Sequence, residues 1–253
     1  MLLLSNAPTV YSSMIYVALF LSVIFASVGF IVTKNNAKYL LSGYNTMSET
    51  QRASFNIEGY LAYFKRFHIF LGLSLFLGTV LINIINSNWA SIFMTTFPLV
   101  AYAYMVVRGT FYMKASSDRR LVSYVAGGIL LAIAVFIGIN ATRDLQSSAL
   151  VLGEDFIEIK GSYGVKIRKH DIRSAQLVNE VPPVSYKING FAAGDYAKGS
   201  FKLKNGKTVR MFVNKKKPPF LVINTNDGEI YYNTDEGNLD TLAKRIQIWL
   251  SFK

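Results

Sequence analysis

The sequence predicts a membrane α-helical bundle of four spans followed by an all-β barrel capped by a C-terminal α-helix. Three observations predict it. Charge is unevenly placed: of 42 charged residues, residues 1–142 hold 12 and residues 143–253 hold 30. The charge-poor part contains uncharged apolar runs long enough to cross a bilayer, which takes about 20 helical residues. The charge-rich part breaks into short β-prone runs separated by glycine turns. This distribution excludes a single water-soluble globule, a disordered chain and a collagen-like fibre. The absence of cysteine excludes a disulfide framework, a thiol nucleophile and thiolate metal sites.

The transmembrane part is expected over 1–142. No charge occurs from Met1 to Thr33. Residues 11–32 form a first span that is too long, and too poor in basic flanking residues, for a cleaved secretory signal. Residues 67–107 carry no full charge, only His68. As one helix they would reach about 60 Å, against a hydrocarbon core of about 30 Å. They must fold back, and Asn86-Ser87-Asn88-Trp89 is the polar cluster that can turn them. Spans at about 68–86 and 90–107 follow. Trp89 is expected at the interface and Pro98 is expected to kink the third span. The fourth span, 121–139, carries Gly128-x-x-x-Ala132 and Ala134-x-x-x-Gly138. Small residues at this spacing serve packing within the bundle or a homo-oligomer contact.

Orientation follows from basic residues. Loop 33–66 holds Lys34, Lys38, Arg52, Lys65 and Arg66, and loop 108–120 holds Arg108, Lys114, Arg119 and Arg120. Only Arg143 lies near the opposite ends. Nine against one predicts that both loops are cytoplasmic. With four spans, the N-terminus and the C-terminal domain are then extracytoplasmic, across a bacterial inner (cytoplasmic) membrane.

Within the cytoplasmic loop, Gly43 suits a helix C-cap and Ser48-Glu49-Thr50-Gln51 forms a capping box that starts the next helix. Ile57, Tyr60, Leu61 and Phe64 share one face of a short helix, expected in the headgroup plane. Asn36-Ala37-Lys38 followed by Gly43-Tyr44-Asn45-Thr46-Met47-Ser48, between two spans, resembles a family of small bacterial membrane proteins known only as a domain of unknown function. The likeness covers roughly residues 12–108. It implies the architecture and no chemistry, so Gly43, Tyr44, Asn45 and Thr46 read either as a ligand loop or as a structural turn with its cap.

Residues 142–148 read as a linker, and 148–253 as the soluble domain. Strands are expected at 149–152, 156–160, 165–168 and 172–178. At Asn205-Gly206 a three-residue loop with Gly206 left-handed pairs Phe201 with Val209. That register gathers Phe201, Leu203, Val209, Met211 and Val213 on one face and leaves Lys202, Arg210 and Phe212 on the other. Asn226-Asp227-Gly228 joins strands 220–225 and 229–233. A final helix over 239–251 presents Leu239, Leu242, Ala243, Ile246, Trp249 and Leu250 as one stripe that plugs the strand assembly. Strands in series closed by a Trp-bearing helix, with Asn189-Gly190-Phe191-Ala192, Gly199-Ser200-Phe201-Lys202-Leu203 and Lys216-Lys217-Pro218-Pro219, resemble bacterial pleckstrin-homology-like domains attached to membrane spans. The resemblance implies an interaction module without catalysis.

Candidate sites are few. Segment 179–199 reads as a long loop, and such loops commonly carry function, with Phe191 and Tyr196 as contact residues. Lys215, Lys216 and Lys217 form a basic turn that suits anionic headgroups, at about 1 kcal/mol per residue, or that merely guards a strand edge. His68 reads as an interfacial residue and His170-Asp171 as a turn. No metal or cofactor is expected, because no His/Asp/Glu cluster accompanies the missing cysteines. Gly194–Gly199 lacks the lysine and the strand-to-helix setting of a phosphate loop. Nucleic acid is not an expected partner, since the basic residues do not gather on one aromatic-bearing surface. The expected function is therefore a non-enzymatic, membrane-held interaction module whose partners are the lipid bilayer and either an envelope protein or an anionic lipid. The alternative is a small transporter or channel subunit acting as an oligomer, against which stands the lack of Asp, Glu, Lys and Arg within the spans.

Overall fold

The computed structural model describes residues 9–112 and 117–252, with side chains described over 14–112 and 120–252. It divides into two compact units, Met1–Ile139 and Asn140–Lys253.

The first unit is helical. It comprises α1 (Thr9–Ile31), the short α2 (Ala37–Leu40) and α3 (Glu49–Ala53), then α4 (Ile57–Ile85), α5 (Ser87–Gly109) and α6 (Ser117–Asp144), the last running on into the second unit. Four of these helices are long and apolar enough to cross a membrane. Within the unit α1 packs along α4, and α4 along α5. Gly72 permits the first contact: a Cβ there would lie 2.5 Å from the Ser22 carbonyl oxygen. Small residues allow helix backbones this close. On α6 the close contact is at Gly127, against Val107 and the Ala103 carbonyl, with Gly138 in ordinary contact with Thr96, whereas a Cβ at Gly128 would meet nothing within 4 Å among the described residues.

Two expectations about this unit are corrected. The face of Ile57, Tyr60, Leu61 and Phe64 does not belong to a separate helix in the headgroup plane; it is the first part of α4. At 29 residues, α4 is about 43 Å long, well beyond the hydrocarbon thickness. The capping box is real, with Gln51 N–H donating to Ser48 Oγ and Ser48 N–H to Gln51 Oε1. It starts only the five-residue α3, because the chain turns at Ser54 and Phe55 and Asn56 caps α4 afresh through Gly59 N–H at 2.9 Å. The turn between α4 and α5 is also tighter than 86–89. Asn86 alone makes it, donating its N–H to the Ile82 carbonyl while its Oδ1 accepts from Asn88 and Trp89 N–H. Helix α5 therefore starts three residues earlier than the expected span, while the extra length of α4 lies at its start, Ile57. Helix α5 runs through Pro98 without a break in its assignment.

The second unit contains nine strands and a closing helix. Strands β1 (Leu150–Leu152), β2 (Phe156–Ile159) and β3 (Val165–Arg168) form an antiparallel sheet. Strands β4 (Ile172–Val178), β5 (Val184–Ala193), β6 (Tyr196–Leu203), β7 (Thr208–Asn214), β8 (Phe220–Thr225) and β9 (Gly228–Tyr232) form a second sheet in the order β4-β8-β9-β7-β6-β5. Helix α7 spans Leu239–Ser251. Phe201 pairs with Val209, the register expected for a three-residue loop, and Gly206 has φ +85°. The register has its predicted consequence. Phe201, Leu203, Val209, Met211 and Val213 share one core. Phe212 turns to the other, with Ile157, Ile223, Ile246 and the α7 stripe.

The edge strands β4 and β5 are consecutive in the chain, joined by residues 179–183. Five residues reach about 20 Å, whereas the edges of a flat six-stranded sheet lie about 24 Å apart. The sheet must therefore curl, and Val178 and Val181 close over the inner core. The segment read as a long loop is thus corrected: most of 179–199 is the β5–β6 hairpin, turning at Gly194 with φ +52°. Alternation is hard to see there because β5 is bulged twice and largely exposed. The linker is also shorter than expected, since α6 continues to Asp144 and Leu145 is buried.

Candidate functional site

Three loops meet at one end of the six-stranded sheet. Tyr196 opens β6 directly opposite Asn214, the last residue of β7. The basic turn 215–219 follows β7, and residues 233–238 lead from β9 into α7. Asn233, 1% exposed, ties these loops together. Its Oδ1 accepts from Asn214 N–H at 2.7 Å, and its Nδ2 donates to the carbonyls of Asn214 and Lys217 at 2.9 and 2.6 Å.

Asp235 collects the charges. Its carboxylate accepts from the Tyr196 hydroxyl and from Asn214 Nδ2 at 2.9 Å, and it pairs with Lys217 Nζ at 3.1 Å. Burial alone would raise its pKa, but these three donors outweigh burial and hold it below the ordinary carboxylate value. Burial, reinforced by Asp235, pushes the Tyr196 phenol upward. Lys216 pairs with Asp195 at 2.8 Å. Lys215 donates its backbone N–H to the Asp195 carbonyl, and burial of its side chain lowers its pKa despite the attraction of Asp195. Lys198, 6% exposed, is lowered by burial as well, with Asp144 and Asp235 opposing the shift. Beside this network lies a cleft of about 580 Å³ lined by Lys216, Lys217, Pro218, Thr234 and Asn238.

The structure thus brings four of the sequence-derived residues, Tyr196, Lys215, Lys216 and Lys217, to one end of the sheet. It also gives two of the lysines acidic partners. Phe191 lies on β5 opposite Lys198 and outside this network. Sequence reading missed Asp195, Asn214, Asn233 and Asp235. The available signal was polar residues closing three successive strands, but it appears only once strand order is known. Among the described residues no group of three His, Asp or Glu could hold a metal ion.

A second surface of this unit is the outer edge of β5. The strand is ten residues long and is paired on one side only. Val184, Tyr186 and Ile188 are 38%, 58% and 50% exposed.

In the helical unit, Gly43 (φ +84°) turns the chain after Leu41, and Thr46 Oγ1 donates to the Gly43 carbonyl. Arg52 reaches back to the carbonyls of Tyr44 and Asn45. Tyr44 packs against Phe55, and Phe55 against Tyr60, with their rings tilted at 44° and 55°. His68 is 1% exposed and packed inside the helical unit, with Nδ1 donating to the Phe64 carbonyl at 2.8 Å and Nε2 3.2 Å from the Tyr102 hydroxyl.

Apolar helices long enough to span, followed by two sheets closed by a C-terminal helix, define a membrane protein carrying a pleckstrin-homology-like domain. The family comparisons agree. Residues 149–245 match the Bacterial PH domain, and residues 19–113 match the Domain of unknown function (DUF3784). Helix α6 lies entirely between the two matched stretches. No curated protein and no solved structure matches the chain significantly.

Proposed function

We propose that the protein is a non-enzymatic interaction module held at the membrane surface, and that its sheet domain recognises an extended protein segment along β5. One observation carries the reading: a ten-residue edge strand has an unpaired outer edge and exposes Val184, Tyr186 and Ile188. Unpaired strand edges are templates for an added strand. The basic turn is the weaker contact surface, because Lys216 and Lys217 face Asp195 and Asp235. Three lysines against two carboxylates leave a net charge of about one, worth about 1 kcal/mol at an anionic surface.

The test uses the full chain in native membranes, with a photo-crosslinker in place of Tyr186 or, as control, of the exposed Lys244 on α7. Crosslinking to a discrete protein from position 186 and not from 244, lost on Ile188→Lys and kept on Lys216→Gln/Lys217→Gln, supports the reading. Equal crosslinking from both positions, or loss only with the lysine variants, rejects it. The excess of basic residues in loops 33–66 and 108–120 further supports an extracytoplasmic sheet domain. A reporter fused after Lys253 that is active only in the cytoplasm would reverse that orientation.

The transporter reading retains one observation in its favour. Ser22 Oγ, Tyr63 Oη, Thr79 Oγ1 and Asn83 Oδ1 are buried in the helical unit without a hydrogen-bond partner among the described residues. Solute flux in proteoliposomes that Thr79→Val and Asn83→Leu abolish would establish it.

A further inference from the structure

The Gly43–Tyr44–Asn45–Thr46 turn does more than connect two helices. Beneath it lies a cavity of about 510 Å³, within the range of sites that hold small ligands. Its walls come from all four long helices, with Val28 from α1, Phe64 from α4, Met105 from α5 and Ala126 from α6, and Leu41 and Tyr44 close it at the loop. The lining is predominantly apolar and no carboxylate contributes to it. Helices that cross a bilayer place such a cavity beside lipid chains, so the chains reach it without leaving the membrane.

Basic residues that neighbour the lining residues in the chain offer the complement to a headgroup. Lys38 stands two residues before the lining residue Leu40, Arg108 directly precedes Gly109, and Arg120 lies one helical turn before Ser123. Arg52 fixes the loop itself through the Tyr44 and Asn45 carbonyls. Glu58, at the start of α4, is already paired with Lys34 at 2.7 Å. An apolar slot with a cationic mouth matches an amphiphile with an acidic head.

We propose that this cavity holds one acyl chain of an anionic bilayer glycerophospholipid, with the Gly43–Thr46 turn forming its mouth and Lys38 and Arg120 facing the phosphate-bearing head. The proposal concerns the helical unit and is independent of the β5 reading.

The experiment places the full chain in nanodiscs of zwitterionic lipid doped with a phospholipid carrying a diazirine near the chain terminus. The probe bears either a phosphoglycerol or a phosphocholine head on identical chains. Adducts are expected to concentrate on peptides containing Tyr44, Met105 and Ala126, with the phosphoglycerol probe favoured about fivefold or more, as two nearby cations imply. Ala126→Phe, which fills the cavity, should remove these adducts. Ser123→Leu is a milder filling variant should the first fail to fold, and an unchanged melting temperature identifies folded protein. Lys38→Gln/Arg120→Gln should abolish the headgroup preference while leaving the adduct positions unchanged. Adducts spread over the exposed face of α6, or persisting in a folded cavity-filled variant, overturn the site. Equal labelling by the two heads, or displacement by a free fatty acid at equal dose, overturns the assignment to an anionic phospholipid.

Discussion

The two units are built inside out with respect to each other. In the sheet unit Phe212, Leu221, Ile223 and Ile246 are sealed from solvent, and the lysines and carboxylates mostly lie outside. In the helical unit Phe20, Leu77 and Ile84 stand outside at 65%, 55% and 76% exposure, while His68, Thr79 and Asn83 are inside. Both arrangements follow from one rule applied to two solvents. Apolar surface leaves water in the first case, and in the second it meets hydrocarbon, where backbone groups must be satisfied within each helix. The contrast implies that a given apolar side chain contributes very differently in the two units.

The largest expected effect tests that implication directly. Phe212→Ala should destabilise residues 145–253 by about 3–5 kcal/mol, because a sealed aromatic leaves both its transfer energy and a cavity. Ile84→Ala, three-quarters exposed, should change the stability of the full chain in detergent by no more than about 0.5 kcal/mol. Denaturant midpoints measure both. Comparable losses at the two positions would place Ile84 against another chain rather than lipid.

Buried polar groups sharpen the comparison at a smaller scale. Removing Asn233 leaves Asn214 N–H and the Lys217 carbonyl unmatched inside the sheet unit, while the Asn214 carbonyl keeps the Lys217 N–H. Asn233→Ala should therefore cost about 3 kcal/mol. His68 makes two bonds, and in a bilayer such bonds contribute about 1–2 kcal/mol or less. His68→Leu should cost correspondingly less, read from thermal unfolding in detergent. If His68→Leu proves the more damaging, the helical core depends on that histidine in a way its two hydrogen bonds do not explain.

How much was legible depends on which interactions are local. The spans were readable because bilayer thickness constrains a contiguous run of residues. The Phe201–Val209 register was readable because only one loop length puts Leu203, Met211 and Val213 together. The extent of α4 was harder: Glu58, Lys65 and Arg66 interrupt the apolar run, and composition does not reveal that a helix continues past the hydrocarbon. Strand β5 was hidden by its bulges and by exposed residues that do not alternate. The candidate site was half legible. Lys215, Lys216, Lys217 and Tyr196 stand out in sequence, but the acids that neutralise two of the lysines come from 195 and 235, and the adjacency of β6, β7 and β9 in the sheet supplies that proximity.

Those acids allow the smallest and most specific test. Asp235 is held below its ordinary value in the folded state by Tyr196, Asn214 and Lys217, against the opposing effect of burial. A carboxylate depressed on folding contributes stability that is fully present above its unfolded pKa, about 3.9, and is lost as pH falls through the folded value. Near neutral pH the native protein should therefore melt above Asp235→Asn, and the gap should narrow as pH falls below about 4. The group is partly exposed and screened, so the neutral-pH difference should stay below about 1 kcal/mol. Lys217→Gln removes one of the three donors and should produce a fraction of the same effect, with the same dependence on pH. A gap that stays constant down to pH 3 would mean that Asp235 acts by filling space, and that its charge is not what draws Tyr196 and the basic turn together.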